Sequence, residues 1–173
     1  MDYEPYSTNE VIAIDSPPPI HLSKIGRLDI LGSYELITTE SVREEVIIEG
    51  KAGVSRLKEL FKRTEVVNLS EKDIDTASSI AKTEGVHQAD AELLLLANRK
   101  NCSLLTNDRA LVLLARSLGI KVWWVTTLIL NLVREKKLSK EVGKDILDDL
   151  IMSGMKIETS EYIRILREIE MMG

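Results

Sequence analysis

Short runs rich in β-branched residues alternate with longer stretches of helical spacing, and this alternation limits the fold more than any other feature of the sequence. The short apolar runs lie at 11–14, 35–38, 65–69, 103–106 and 120–125. Between them, apolar residues recur at intervals of about three and four positions, as on one face of a helix. Strands that alternate with helices predict a parallel sheet covered on both faces. The expected fold class is therefore three-layer α/β/α, with a central, mainly parallel sheet of about four to five strands.

The last part of the chain shows no further strand pattern and is predicted to be helical at 127–135, 140–152 and 160–171. A chain of 173 residues is long enough for one ordinary domain with its own core. No Pro-, Gly- or Ser-rich linker divides it. We therefore expect a single domain over 1–173, with a core at about 11–125 and a C-terminal helical extension at about 126–173.

Four carboxylates stand where predicted elements begin or end: Asp15, Glu45, Asp90 and Asp108. Asp15 and Asp108 each follow an apolar strand, whereas Asp90 opens a helix and Glu45 lies on a short one. Side chains just beyond the carboxyl ends of neighbouring parallel strands meet at one edge of a sheet. If the strands before Asp15 and Asp108 are neighbours, the acids would form an oxygen-ligand site for a hard divalent cation. Such a site hydrolyses phosphodiesters.

Each of these acids also has a purely structural interpretation. Asp90 and Asp108 suit helix N-caps, and Asp15 suits the start of a turn. Glu45 alone is typical of a solvated helix position, and Glu44 and Glu40 compete with it for a role in the site. The functional hypothesis therefore depends on the combination of the four acids and on their order along the chain.

The net charge of -5 is unusual for a nucleic-acid enzyme, because phosphate contacts normally come from a basic surface. Four of the negative charges belong to the candidate site, and the rest of the chain is then nearly neutral. A bound divalent cation would offset two more charges. The composition therefore lowers the expectation of strong non-specific binding to nucleic acid without excluding a metal-dependent nuclease.

The single cysteine, Cys102, cannot form an internal disulfide, which is typical of a protein in a reducing compartment. The N-terminus is acidic and polar and does not resemble a signal peptide. No apolar run is long enough to span a bilayer. We therefore expect a cytoplasmic protein with no membrane association.

Two further residue types require an interpretation. Trp123 and Trp124 fall in the last predicted strand, so one is expected in the core and the other beneath the helical tail. Stacking on a nucleic-acid base is the alternative role for the second of them. His87 lies just before Asp90, where a surface loop position is expected and a ligand or proton shuttle is the alternative.

Taken in order, the segments that carry the four acids resemble the prokaryotic PIN-domain nucleases. They are the first strand and its acid at 12–16, the short helix at 41–46, the motif at 89–91 with 96–97, and the segment 104–108. The resemblance implies that the metal ligands and catalytic acids are Asp15, Glu45, Asp90 and Asp108. It also implies that Thr106 supports the site.

This resemblance covers about residues 11–125, and the helical tail at 150–157 and 163–169 is similar to one branch of prokaryotic PIN proteins with a C-terminal extension. Many PIN proteins are the toxin ribonucleases of toxin–antitoxin pairs. The resemblance therefore implies Mg²⁺ or Mn²⁺ as cofactor, single-stranded RNA as substrate, a small antitoxin-like partner protein and a homodimer.

Two other classes of protein remain to be weighed against a nuclease. One is a non-catalytic PIN-like module in which the acids are caps and the last helix presents an interaction face of Ile163, Leu166 and Ile169. The other is a phosphoacceptor or haloacid-type hydrolase, which would usually need a second acid two positions after Asp15. Pro17 stands there, which argues against that class.

Overall fold

The structure is a computed structural model that describes residues 10–48 and 50–173. The acidic start of the chain therefore lies outside the described residues. The strands are β1 (Val11–Ile14), β2 (Glu35–Thr39), β3 (Glu65–Val67), β4 (Ser103–Leu105) and β5 (Val122–Trp123). The helices are α1 (Pro17–Lys24), α2 (Glu40–Val46), α3 (Val54–Lys62), α4 (Glu71–Glu84), α5 (Gln88–Lys100), α6 (Arg109–Ser117), α7 (Val125–Arg134), α8 (Lys140–Met152) and α9 (Thr159–Met171), with a 3₁₀ helix at Leu28–Ser33.

The five strands form one sheet in the order β3-β2-β1-β4-β5, and every neighbouring pair is parallel. The predicted α/β class with a central parallel sheet is thus confirmed. Strand β1 lies in the middle, between β2 and β4, and Ile14 is in register with Leu105. Because the strand order reverses on either side of β1, the carboxyl ends of β1 and β4 mark the place where a site is expected in such a sheet.

The central strands are apolar on both faces, which is why they occupy the middle of the sheet. Ile12, Ala13 and Ile14 of β1 and Leu104 and Leu105 of β4 are fully buried. A strand that alternated polar and apolar residues would leave one face for water, whereas these strands require helices on both sides. The position of the residue that directly follows a buried strand is fixed by that strand, and the residue that follows β1 is Asp15.

The proline triplet after Asp15 begins a helix, whereas the sequence Ser16-Pro17-Pro18-Pro19 taken alone predicts only a sharp break after the first strand. Pro17 is the first residue of α1. Proline suits the first turn of a helix because its missing N–H would have no partner there and its φ is already helical. The apolar spacing from Ile20 to Leu31 also predicts a single helix over 20–31. That prediction is wrong, since Gly26 has a φ of +69° and separates α1 from the 3₁₀ helix.

Two other predicted boundaries are displaced. Helix α5 begins at Gln88, so Asp90 is its third residue and not its first. Strand β5 is only two residues long, because Val125 already starts α7. Both helices begin earlier than the apolar pattern indicates. In α5 the first turn extends over the polar Gln88, where the Asp90 side chain accepts from the His87 amide.

The C-terminal helices pack against the sheet layer. Ile129, Ile146 and Leu150 belong to the same buried cluster as the central strands. A smaller cluster joins α7, α8 and α9, and it buries Ile169 completely. Part of the interaction face predicted on the last helix is therefore used within the chain, although 42% of Ile163 remains exposed. Within the two described ranges, no helix has both the length and the apolar character needed to cross a membrane.

Candidate active site

Asp15 lies directly after β1 at the carboxyl edge of the sheet, and only 2% of its surface is exposed. The pairing of β1 with β4 continues past the strands, since the Asp15 amide donates to the Leu105 carbonyl at 3.0 Å. A buried carboxylate needs hydrogen-bond donors. Asp15 accepts from the Thr106 hydroxyl at 2.7 Å and from the Ser16 amide at 2.8 Å, and the Ser16 hydroxyl lies at 3.5 Å from its Oδ1 atom.

The hydroxyl of Thr106 joins the residue after β1 to the residue after β4. It donates to Asp15 Oδ2 and accepts from the amide of Asp108 at 3.0 Å. Thr106 is itself fully buried, so both hydrogen bonds are shielded from water. This arrangement gives a physical basis for the supporting role that the family resemblance implies.

Asp108 is the N-cap residue of α6. Its Oδ1 atom accepts from the Leu111 amide at 2.9 Å, and the residue is exposed to solvent. A cap of this kind uses one carboxylate oxygen and leaves the other available. The capping role and a role as metal ligand are therefore compatible for this side chain.

Asp90 is half-buried in the first turn of α5, and its Oδ2 atom accepts from the amide of His87 at 3.3 Å. The pKa of Asp90 is raised above its usual value, mainly by burial and further by the charges of Asp108 and Glu45. His87 is the N-cap residue of the same helix and is exposed, and it lowers the pKa of Asp90. The acid at the start of α5 therefore interacts electrostatically with all three of the others.

Glu45 lies on the exposed side of α2 and reaches the site through a serine. The Ser16 hydroxyl donates to Glu45 Oε2 at 2.8 Å. Of the two competing acids, Glu40 forms an ion pair with Arg43 at 2.8 Å and Glu44 is exposed. The geometry thus favours Glu45, although its role in the site stays a prediction.

Burial and neighbouring charge raise the pKa of the Asp15 carboxyl. Burial is the main cause that raises its pKa from 3.8 to about 6, and the charges of Asp90 and Asp108 add to it. The hydrogen bonds from Thr106 and Ser16 act in the opposite direction. A carboxylate whose ionisation is opposed by other carboxylates gains most from a nearby cation.

The donor set has the chemistry that a hard divalent cation prefers, since every candidate ligand is a carboxylate oxygen. Among the described residues, no three His, Cys, Asp or Glu side chains are close enough together to hold one ion as they stand. Magnesium commonly binds one or two carboxylates directly and keeps several waters. The residues therefore fit a cation held by Asp15 with one neighbour and reached by the other acids through water.

A buried glutamate that the sequence analysis did not single out fixes two of the helices that carry the acids. Glu92 on α5 is only 6% exposed. It accepts from the Ser41 hydroxyl of α2 at 2.5 Å and from Gln88 Nε2 at 3.0 Å. This bond ties the helix of Glu45 to the helix of Asp90. The available signal was a charged residue next to the apolar run 93–96.

Comparison with known families identifies the class of the protein. The family model DUF3368, a PIN domain, matches residues 11–171 and therefore includes the C-terminal helices. The chain belongs to the PIN-domain family, whose members are typically nucleases. No curated protein sequence matches the chain significantly.

Solved structures give a weaker likeness. PAE2754 from Pyrobaculum aerophilum is 18% identical, and the alignment covers 64% of this chain and 98% of that one, with a TM-score of 0.45. A PilT N-terminus domain protein, SSO1118, from the hyperthermophilic archaeon Sulfolobus solfataricus P2 is 16% identical, with 85% and 97% covered and a TM-score of 0.43. Because both TM-scores are low, the family assignment rests on the match of the family model.

Proposed function

We propose that this protein is a Mg²⁺- or Mn²⁺-dependent endoribonuclease that cleaves single-stranded RNA. The observation that carries the proposal is the Asp15 carboxyl, which is buried at the carboxyl edge of the sheet and has a pKa raised to about 6, in part by Asp90 and Asp108. Structural carboxylates are seldom placed in this way without a partner of opposite charge. Perturbed acids at such an edge, in a family of nucleases, support catalysis.

The proposed cation would be held by Asp15 and Asp108, with Asp90 and Glu45 acting through its waters. When bound, it supplies an activated water for in-line attack on phosphorus and neutralises charge on the phosphate. Thr106 keeps the Asp15 carboxylate oriented and favours its ionised form. Ser16 fixes the position of Glu45 next to Asp15.

The biological role proposed here is that of a toxin in a toxin–antitoxin pair, acting in the cytoplasm as a homodimer. The resemblance of the four-acid order and of the helical tail to prokaryotic PIN toxins supports this role. We treat residues 1–173 as one domain, with the catalytic core at about 11–125. A small antitoxin-like protein would then inhibit the enzyme by blocking the site.

Cleavage of defined oligonucleotides tests the nuclease proposal. The protein is incubated with single-stranded RNA, the same sequence as DNA, and duplex RNA, each with Mg²⁺, Mn²⁺ or a chelator. We expect metal-dependent cleavage of the single-stranded RNA that is lost in Asp108→Asn. Asparagine is as good an N-cap as aspartate, so this variant keeps α6 while it removes the charge. Cleavage that persists in Asp108→Asn would point to a contaminant or to another site.

A non-catalytic interaction module is the second candidate, and one observation favours it. Asp90 and Asp108 both accept hydrogen bonds from helix N-termini, as purely structural caps would. Metal binding separates the two functions. The nuclease proposal expects Mg²⁺ or Mn²⁺ to raise the melting temperature of the wild type but not of Asp15→Asn. Equal shifts in both proteins would exclude Asp15 as a ligand and leave the interaction module.

Growth assays test the toxin role separately. Expression of the wild type is expected to arrest growth, and expression of Asp15→Asn is not. Co-expression of the neighbouring gene product should restore growth if it encodes the proposed partner. Light scattering of the purified protein then gives its oligomeric state directly, and a monomer at all concentrations tested would contradict the homodimer.

A further inference from the structure

A cleft of about 480 Å³ opens beside Asp108, between the starts of α6 and α7 and the segment 155–161 that leads from α8 into α9. We name it the tail cleft, because the C-terminal extension forms one of its walls. Its volume lies in the range of pockets that bind small organic groups. The cleft is therefore a space next to a candidate metal ligand that the four acids do not use.

Three polar contacts hold the walls of the tail cleft in place. Asn107 Nδ2 donates to Met155 Sδ at 3.0 Å, and Asn107 Oδ1 accepts from the Val125 amide at 3.3 Å. Thr126 Oγ1 donates to Glu161 Oε1 at 3.2 Å. Because these contacts fix the start of α7 and the segment 155–161 relative to Asn107 and to each other, the space is formed before any ligand enters it, which lowers the cost of binding.

The charged side chains on the wall of the tail cleft combine both signs. Arg109, next to Asp108, pairs with Glu158, and Lys156 and Glu161 also line the cleft. Two cations and two further carboxylates leave this wall neutral apart from Asp108. The cleft is thus not a general anion site, and a phosphate on its rim would meet Arg109 or Lys156 next to acceptor groups.

Trp124 supplies the apolar surface of the tail cleft. It is half-buried, whereas its neighbour Trp123 is fully buried in the core. An exposed indole surface beside cationic side chains is the combination on which bases of single-stranded nucleic acids stack. Because stacking alone accepts every base, the choice among bases must come from the polar groups on the wall.

Glu161 is the polar group on the wall best suited to read a base. It is half-buried, its Oε1 atom is fixed by Thr126, and as a carboxylate it only accepts hydrogen bonds. Of the four RNA bases, guanine presents two adjacent donors on its Watson–Crick edge, N1–H and N2–H, and matches a carboxylate with both. Cytosine, adenine and uracil each present a donor beside an acceptor on that edge. A carboxylate can pair with the donor but would leave the acceptor of the base without a partner.

We propose that the tail cleft binds a guanine base of a single-stranded nucleic acid, stacked on Trp124 and hydrogen-bonded to Glu161. The neighbouring phosphate of that strand would lie at Asp108, so the cleft would select where the strand is cut. This placement of the scissile phosphate rests on the proposed nuclease function, whereas recognition of the base does not.

Binding of single nucleotides without metal tests the base preference directly. GMP, AMP, CMP and UMP are titrated into the full chain in a chelating buffer, and tryptophan fluorescence is measured. We expect GMP to bind about 10-fold more tightly than the others, the discrimination expected for a bidentate pair. Equal affinities for all four nucleotides would overturn the proposal.

Three variants assign the effect to the two side chains. Glu161→Gln is expected to remove the preference for GMP, because the amide replaces one acceptor with a donor, while weak binding of all four nucleotides remains. Trp124→Leu should weaken GMP binding about 10-fold and Trp124→Phe much less, because phenylalanine can still stack. Glu141→Gln, on the exposed start of α8, is the matched control with unchanged binding. A leucine at 124 can perturb α7, so the decisive measurements use Trp124→Phe and Glu161→Gln. Their melting temperatures are first compared with that of the wild type, and their affinities for GMP are then measured by isothermal calorimetry.

Cleavage of pentamers with one central guanine, as RNA and as DNA, separates this proposal from the nuclease function. If the wild type cuts next to guanine and Glu161→Gln cuts beside any base, both the guanine site and the nuclease function are supported. In a second outcome, the wild type cuts equally well beside every base and Asp15→Asn does not cut at all. This result would support the nuclease function and overturn the guanine site. Preferred GMP binding without any cutting keeps the guanine site and removes the nuclease. The RNA and DNA arms show whether the ribose contributes.

Discussion

The two halves of the candidate site are held by different means. Asp15, Thr106 and Asp108 follow neighbouring strands, so the register of β1 with β4 fixes their distances, and buried hydrogen bonds join them. Asp90 and Glu45 come from α5 and α2, and their positions depend on how those helices pack on the sheet. The strand-borne half is therefore fixed by the sheet itself, whereas the helix-borne half requires extra contacts such as the hydrogen bond between Ser41 and Glu92.

The strongest way to test this difference is to remove one charge from the rigid half. Asp15→Asn is expected to lower the cleavage rate on the order of 1000-fold or more, because it removes a charge from the groups that hold the catalytic cation. Single-turnover cleavage of a labelled RNA with saturating Mn²⁺ gives the rate. A loss of less than about 10-fold would show that the strand-borne half does not carry the chemistry.

The same residue is expected to make the metal-free protein less stable as the pH rises. The pKa of Asp15 is about 6 in the folded chain against 3.8 for the free side chain, so the folded state holds an extra proton between these values. The free energy of unfolding should therefore fall by about 3 kcal/mol through this window, relative to Asp15→Asn. Urea titrations at several pH values in a chelating buffer measure this free energy, and parallel curves for the two proteins would contradict the raised pKa of Asp15.

The hydroxyl of Thr106 joins the two strand-borne acids, and its removal tests whether this contact matters for stability and activity. Thr106→Val keeps the shape of the side chain but leaves Asp15 Oδ2 and the Asp108 amide without this partner. We expect a loss of about 1–3 kcal/mol in the free energy of unfolding and a shift of the activity profile to higher pH, since a hydrogen bond that favours ionised Asp15 is gone. Thr106→Ser, which retains the hydroxyl, is the control, and an unchanged pH profile in Thr106→Val would refute this role.

The smallest effect is expected in the helix-borne half. Glu45→Gln should lower the cleavage rate about 10-fold, because an exposed acid that acts through water contributes less than a buried one. Glu44→Gln, one position earlier and also exposed, is the matched control. A larger loss in Glu44→Gln than in Glu45→Gln would assign the second acid to the other side chain.

The sequence was sufficient for the parts of the molecule that local chemistry determines. The apolar runs before Asp15 and Asp108 predicted two buried strands of a parallel sheet, and that sheet is confirmed. The pattern alone leaves open whether the two strands are neighbours, and the structure pairs them directly. The start of α1 was missed because three prolines interrupt most structures, yet at a helix start they fit. The residue pattern thus predicted the sheet correctly but not the start of α1, which lies beside the candidate site.

The contacts that assemble the helix-borne half could not be predicted, because they join residues far apart in the sequence. Ser16 reaches Glu45 over 29 positions and Ser41 reaches Glu92 over 51. No periodicity encodes such pairs, since they depend on how α2 and α5 pack. The assignment of the four acids as metal ligands stays a prediction for the same reason.

The proline triplet also changes the electrostatic character of the site beyond its effect on the chain path. The N-terminus of a helix normally offers free amide hydrogens that attract anions. Helix α1 begins one residue after Ser16, and none of Pro17, Pro18 and Pro19 carries an amide hydrogen. Donor groups for a phosphate are thus removed from the side of Asp15 that faces α1. A phosphate that approaches Asp15 would then have to be bound through the proposed cation rather than by this helix N-terminus.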